Sequence, residues 1–328
     1  MSQYLDSKTL FHQPRVDQYG SHMVMTNVVK PNRTICLNID TTFCDEYSNN
    51  YSSTGCNDQN ASYTITLPER INSVKSMSIV NAEIPMTFYN VSSALGNNAF
   101  QYSALVAGTR TITYTLVVPD GSYATPSDLV SQINTVMATQ DLSGYKLQCA
   151  LSGNKTRLSI SSYVGGGSAP SITVSVNFSV DDTGSVDNYL VKEKLGWTLG
   201  FHSVSYTVAT GAGTTSEGIC FVNKPKYAYI AVDEHSKNAT NSFHTALPQY
   251  QINKNILAKV IFNPVVYGFG TVLPANIMDG YLFSDVRTYG AGGKTDIQRL
   301  NVQLLDEQGN VMVLNGCDFS FCLQIELE

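Results

Sequence analysis

The densest group of residues able to do chemistry is Asp233-Glu234-His235, with His244 a short way downstream. Carboxylates and imidazoles grouped in this way could hold a metal ion or divide acid and base work between them. A hydrolase built on them would also need a nucleophile in the same cleft. They fall in a hydrophilic stretch, where solvated side chains are the ordinary expectation. The remaining histidines, His12, His22 and His202, complete no HExxH or HxH spacing. Asp306-Glu307, with Asp318 across a turn, could hold a cation. The run Asp306–Asn310 reads DEQGN, however, and those residue types make a turn for backbone reasons alone. The many serines include no GxSxG elbow. Gly165-Gly166-Gly167 is not followed by the Lys-Ser/Thr that a phosphate loop needs. Seven cysteines (36, 44, 56, 149, 220, 317 and 322) form no CxxC pair, and Cys36, Cys44 and Cys56 have no histidine near enough for a zinc set. They read as free thiols. The sequence therefore assigns no catalytic, cofactor-binding or metal-binding residue, and neither a cofactor nor an enzymatic activity is expected.

The elements around these residues are mostly strands. Alternation predicts strands at 33–39 and 62–67, and a third from Ile71 that Pro85 stops, with Pro68-Glu69-Arg70 as the turn between the last two. Runs 98–105 and 111–118 around Ala107-Gly108-Thr109 read as a hairpin. Thr125-Pro126-Ser127-Asp128 then offers an N-cap, a proline at the first helical position and an acid two residues later. With Leu129, Val130, Ile133, Val136 and Met137 on one face, it predicts a helix over 126–139. Strand-like runs at 145–150, 156–162 and 171–178 follow, and LGWTLGF at 195–201 holds the only Trp. Further strands are expected at 204–209, 219–222, 226–232, 255–262, 297–305, 311–315 and 317–327, with 297–305 and 317–327 forming a closing hairpin. Two long loops, 233–254 and 263–296, break this series. Loops of that length are uncommon unless they bind something or form an interface.

Composition narrows the class. Of 328 residues only 14 % are charged, against a usual ~25 %. Tyr, Ser, Thr, Asn and Gly supply the polarity, as suits a β-rich protein in a packed assembly. The net charge of −6, with no basic tract, argues against direct nucleic-acid binding. No run approaches the ~20 apolar residues of a membrane span, and the first residues lack the pattern of a signal peptide. Seven N-x-S/T sequons are what an Asn/Ser/Thr-rich chain produces by chance. Residues 1–32 are polar and aperiodic, contain two prolines, and carry isolated apolar residues such as Leu5, Leu10 and Phe11. They read as an extended N-terminal arm.

Two stretches carry a resemblance. The segment AEIPMTFYNVSSALGNNAF at 82–100 and the closing LLDEQGNVMVLNGCDFSFCLQIE resemble minor capsid and penton-type proteins of the large icosahedral DNA viruses (nucleocytoplasmic large DNA viruses). The run 119–201, ending in LGWTLGF, resembles a module of the same proteins. The resemblance implies a mainly β fold, an antiparallel jelly-roll-like sandwich over 33–118 and 204–328, with a small α+β insertion at 119–203. It implies a structural virion protein, a minor capsid or penton (five-fold vertex) subunit made in the host cytoplasm. Its partners would be major capsid protein capsomers and other capsid proteins, and it would form a homo-oligomer in the shell, a pentamer if a penton. The alternative is a β-sandwich module on the virion surface that binds a receptor or glycan, a role that Tyr and Asn richness would also suit.

Overall fold

Strand periodicity governs most of the chain, as the alternation of its apolar residues requires. In a computed structural model the described residues are 32–43, 51–52, 55–56, 61–166, 168–187, 191–236, 239–240, 243–246, 251–252, 255–289 and 295–328. The expected arm, apart from Asn32, lies outside them. In chain order the strands are β1 (Arg33–Asp40), β2 (Tyr51–Ser52), β3 (Gly55–Cys56), β4 (Ser62–Pro85), β5 (Ala99–Val106) and β6 (Arg110–Val117). Helix α1 (Pro126–Met137) precedes β7 (Leu147–Ser152), β8 (Lys155–Ile160) and β9 (Ile172–Asn177). The short helix α2 (Leu195–Thr198) is followed by β10 (Ser205–Ala209), β11 (Thr214–Thr215), β12 (Tyr227–Asp233), β13 (Ala239–Thr240), β14 (Thr245–Ala246) and β15 (Gln251–Ile252). The chain closes with β16 (Ile256–Ile261), β17 (Val272–Asn276), β18 (Leu282–Ser284), β19 (Arg287–Tyr289), β20 (Thr295–Leu305) and β21 (Ser320–Leu327). The fold is mainly β and its strand pairs are antiparallel.

The chain divides into two units. Unit 1 comprises Met1–Pro85, Tyr227–Phe262 and Val272–Glu328. Its large curled sheet runs β1-β21-β4-β20-β12-β16-β18, a jelly-roll-like antiparallel sandwich. Strand β4 is its spine. Residues 62–74 pair with β20, and 74–83 pair with β21 on the opposite edge. The expected turn at Pro68-Glu69-Arg70 does not occur, and the strand runs through it. Pro68 sits between Thr66 and Ile71, where the register with β20 shifts. A proline is tolerated at such a bulge because no ladder hydrogen bond needs its missing N–H. Pro85 does end the strand. The core draws on Ile39 from β1, Val74, Met77, Ile79, Ala82 and Ile84 from β4, and Ile297, Leu300, Val302 and Leu304 from β20. From β21 it takes Phe321, Leu323 and Ile325.

The closing hairpin expected between 297–305 and 317–327 is not formed. Strands β20 and β21 lie on opposite edges of β4, and the Leu305–Val311 bridge is all that remains of a pairing after β20. Alternation fixes which face a residue takes but not which strand lies beside it. The runs 219–222 and 311–315 are likewise not strands.

Unit 2 comprises Met86–Lys226 and Asn263–Thr271. The expected insertion limits, 119 and 203, are therefore too narrow. The physical reason is pairing: β5 takes β9 as a neighbour over Gln101–Val106, so the 99–117 hairpin belongs to the sheet β10-β9-β5-β6. A second sheet, β11-β8-β7, and helix α1 complete the unit. Phe100, Leu116, Leu129, Ile133, Val174, Phe178, Leu199 and Phe201 lie in one core. The run LGWTLGF supplies α2 and three of its buried residues, Leu195, Leu199 and Phe201. Gly196 is obligatory there, since a Cβ would sit 2.4 Å from the Phe178 ring.

Helix α1 starts where the sequence places it. The Asp128 N–H donates to Thr125 Oγ1 at 3.2 Å, and the Thr125 N–H donates to Asp128 Oδ2 at 2.9 Å. This reciprocal cap satisfies donors that the first turn leaves open. Thr125→Ala is expected to cost about 1 kcal/mol in denaturant unfolding, while Thr125→Ser should retain most of the stability. Further along the helix, Asn134 closes the free edge of β7. Its Nδ2 donates to the Cys149 carbonyl at 2.7 Å and its Oδ1 accepts from the Cys149 N–H at 2.9 Å. One side chain thus takes the place of a strand partner.

Candidate interaction surface

The residues with chemical potential are dispersed where β12 ends at Asp233. Glu234 turns inward at the end of β12, and its carboxylate accepts from Arg287 Nη1 at 2.6 Å, with both side chains almost fully buried. Arg287 also donates to the Val232 carbonyl from Nη1 and to the Asn255 carbonyl from Nη2, each at 2.6 Å. Its guanidinium therefore ties β19 to the end of β12 and the approach to β16. Burial, and after it the Glu234 carboxylate, push the neighbouring Tyr289 phenol well above its usual range. Asp233 and His235 point the other way and are partly exposed, with His235 Nδ1 3.8 Å from Asp233 Oδ2. His244 is exposed. Past the end of β12 the chain thus separates Glu234 from Asp233 and His235 and gives it a structural ion pair. Asp233, Glu234, His235 and His244 are not brought together as an acid–base set.

The second candidate also disperses. Asp306 accepts from the N–H groups of Gln308 (2.9 Å) and Asn310 (2.8 Å), so DEQGN is a carboxylate-braced turn. Burial raises the Asp306 carboxyl, against the lowering effect of these bonds. Asp318 instead accepts from Thr41 Oγ1 at 2.7 Å. Among the described residues no three His, Cys, Asp or Glu side chains gather where a metal could sit. Cys36, Cys149, Cys220, Cys317 and Cys322 are free thiols.

A different feature stands out on the surface. Eighteen large hydrophobic side chains are exposed among the described residues, and nine of them fall between Ile261 and Val286. In unit 1 these are Ile261, Val272, Ile277, Met278, Phe283 and Val286, with Met278 98 % exposed at the tip of the turn between β17 and β18. In unit 2 they are Val265, Val266 and Phe269, with Val265 88 % exposed and Phe269 stacked on Tyr89 at 6.0 Å. On unit 1, Phe283 continues a row of aromatic contacts through Phe243 and Tyr229 to Tyr227, with centroid separations of 5.3–5.8 Å. The Lys259 ammonium lies 3.9 Å from the Tyr227 ring centroid. Single exposed apolar side chains are ordinary, whereas those that lie together form surfaces that another molecule covers. The sequence signals this segment only by its length and its shortage of charge. Arg287, which fixes the segment's end, carried no sequence signal at all.

No known protein family matches the chain, and no curated protein matches it either. Among solved structures, the crystal structure of selenomethionine-labelled mavirus penton protein is similar, with 11 % sequence identity over 90 % of this chain and 98 % of that one. The TM-score is 0.37. A superposition at that score does not establish a shared fold, and no property of that protein passes to this chain by it.

Proposed function

We propose that the chain is a structural subunit of a virion capsid, a minor capsid or penton component that packs against major capsid protein capsomers. The observation that supports this reading is the set of exposed large apolar side chains that each unit carries between Ile261 and Val286. Its sequence resemblances, at 82–100 and in the closing strands, point the same way. In this reading the sandwich of unit 1 supplies rigidity and the loops supply contacts. The subunit assembles as a homo-oligomer in the shell, a pentamer if it occupies the five-fold vertex. The chemistry required is burial of apolar surface, with no reaction at any side chain.

The test is incorporation. Ile277→Asp and Met278→Asp alter side chains that face solvent in the turn between β17 and β18, so the purified chains should fold as the parent does. Each removes an apolar contact worth ~1.5–3 kcal/mol when buried, so binding to the neighbouring capsid protein should weaken roughly 10- to 100-fold. Locating the parent chain in assembled particles, at the vertex or between capsomers, distinguishes penton from other minor capsid positions. Unchanged incorporation of both variants would sink the proposal. Glycan binding by the monomer, lost in the same variants, would favour the receptor- or glycan-binding alternative.

A further inference from the structure

Strands β1 and β21 are antiparallel neighbours, paired from Arg33↔Leu327 to Asp40↔Ser320. In β21, Phe321, Leu323 and Ile325 face the core, so Cys322 and Gln324 face outward by the period of two. In β1, Cys36 pairs with Gln324 and Asn38 with Cys322. Cys36 and Cys322 therefore share the outer face as diagonal neighbours, each on the N-terminal side of its own pair. Diagonal neighbours across a strand pair lie about 7–8 Å apart, just beyond the usual disulfide span, so closing the bond draws the two strands together by roughly an ångström. Burial first, then the neighbouring Cys36 and after it Glu83, raise the Cys322 thiol above its usual range. Cys36 is exposed, Cys322 is partly buried, and both are free.

We propose that Cys36 and Cys322 are a disulfide site, a covalent clasp between the first and last strands of unit 1 that closes when the chain meets an oxidising thiol–disulfide environment. The oxidant is a small disulfide such as oxidised glutathione. The exposed Cys36 thiolate attacks one of its sulfurs, forming a mixed disulfide and releasing one glutathione thiolate. Cys322 then loses its proton to solvent and attacks the Cys36 sulfur, forming the Cys36–Cys322 bond and releasing the second glutathione. Two protein thiols are oxidised and one glutathione disulfide is reduced to two thiols. The second step is the slow one, because burial and Glu83 disfavour the Cys322 thiolate, and its rate should rise with pH. In a reducing cytosol the site stays open; outside it, the site closes. Unit 2 holds a contrasting pair. Cys149 and Cys220 also neighbour each other, but both are buried and burial pushes the Cys149 thiol up to about 12. An external oxidant has no route to them in the folded chain.

The experiment uses the full chain, purified reduced and treated with oxidised glutathione under native conditions. Peptide mapping should find Cys36 joined to Cys322, with the loss of these two free thiols per chain and no covalent dimer. The oxidised chain should melt higher by roughly 5–10 °C, since the bond closes a very long loop, and a reductant should reverse the shift. Cys36→Ser and Cys322→Ser should each abolish both the linked peptide and the shift, whereas Cys317→Ser should leave them unchanged. Linkage of Cys149 to Cys220, a Cys36-linked dimer of chains, or stable glutathione adducts on Cys36 without closure would each overturn the proposal. These readouts use the isolated chain, so they stand or fall independently of capsid incorporation.

Discussion

Replacing Arg287 with Met is expected to destabilise unit 1 by about 3–5 kcal/mol, because it leaves the buried Glu234 carboxylate without the guanidinium that pairs with it. The same change removes the 2.6 Å hydrogen bonds that the guanidinium donates to the Val232 and Asn255 carbonyls, each a further loss. A further measurement separates charge from packing. The double variant Glu234→Leu/Arg287→Met should recover a large part of the loss, since apolar replacements of similar size often substitute for a buried ion pair. A single variant within ~1 kcal/mol of the parent in denaturant unfolding would show that the pair is solvated and that the loops it anchors are held by something else.

Phe321→Ala should cost as much by a different route. Phe321 is fully buried in β21, lies opposite Ala82 of β4 and Ile39 of β1, and stacks on Phe319 at 6.1 Å. Truncating it removes a large apolar side chain from between two strands that cannot easily close the gap, an expected loss of roughly 3–5 kcal/mol. Gln324→Ala, on the outer face of the same strand, should change stability by no more than about 0.5 kcal/mol. Similar losses for the two variants would mean that the inward and outward faces of β21 are reversed.

Local readings of the sequence succeeded where the physics is local. Period-two alternation in 319–327 assigns Phe321, Leu323 and Ile325 to the core. The Thr125-Pro126 cap and the face of Leu129, Ile133 and Met137 define α1. Partner choice was not legible, because it depends on residues far apart in the chain. The hairpin 99–117 looks the same whether it joins unit 1 or pairs with β9, and β20 and β21 alternate identically whether or not β4 lies between them. The chemistry of Glu234 was hidden for a similar reason. Its cation, Arg287, is separated from it by 53 residues, and a lone arginine in a loop reads as solvated. Cys36 and Cys322 look unrelated in a count of cysteines and become neighbours only through the strand register.

The position of β4 has a consequence for the order in which the chain is made. Ser320 of β21 bonds Glu83 of β4 across 237 residues, so the centre of unit 1 is completed by residues made long after β4. Unit 2, by contrast, draws its sheets and helix from 86–226, and these can pair while translation continues. During that interval the apolar positions of β4 (Val74, Met77, Ile79, Ile84) have emerged without the strands that cover them. High contact order of this kind slows folding and prolongs exposure of a strand able to aggregate. Productive synthesis of this protein should therefore depend on how long nascent β4 is kept from other chains, and slow translation through 86–226 would help unit 2 while lengthening the wait of unit 1.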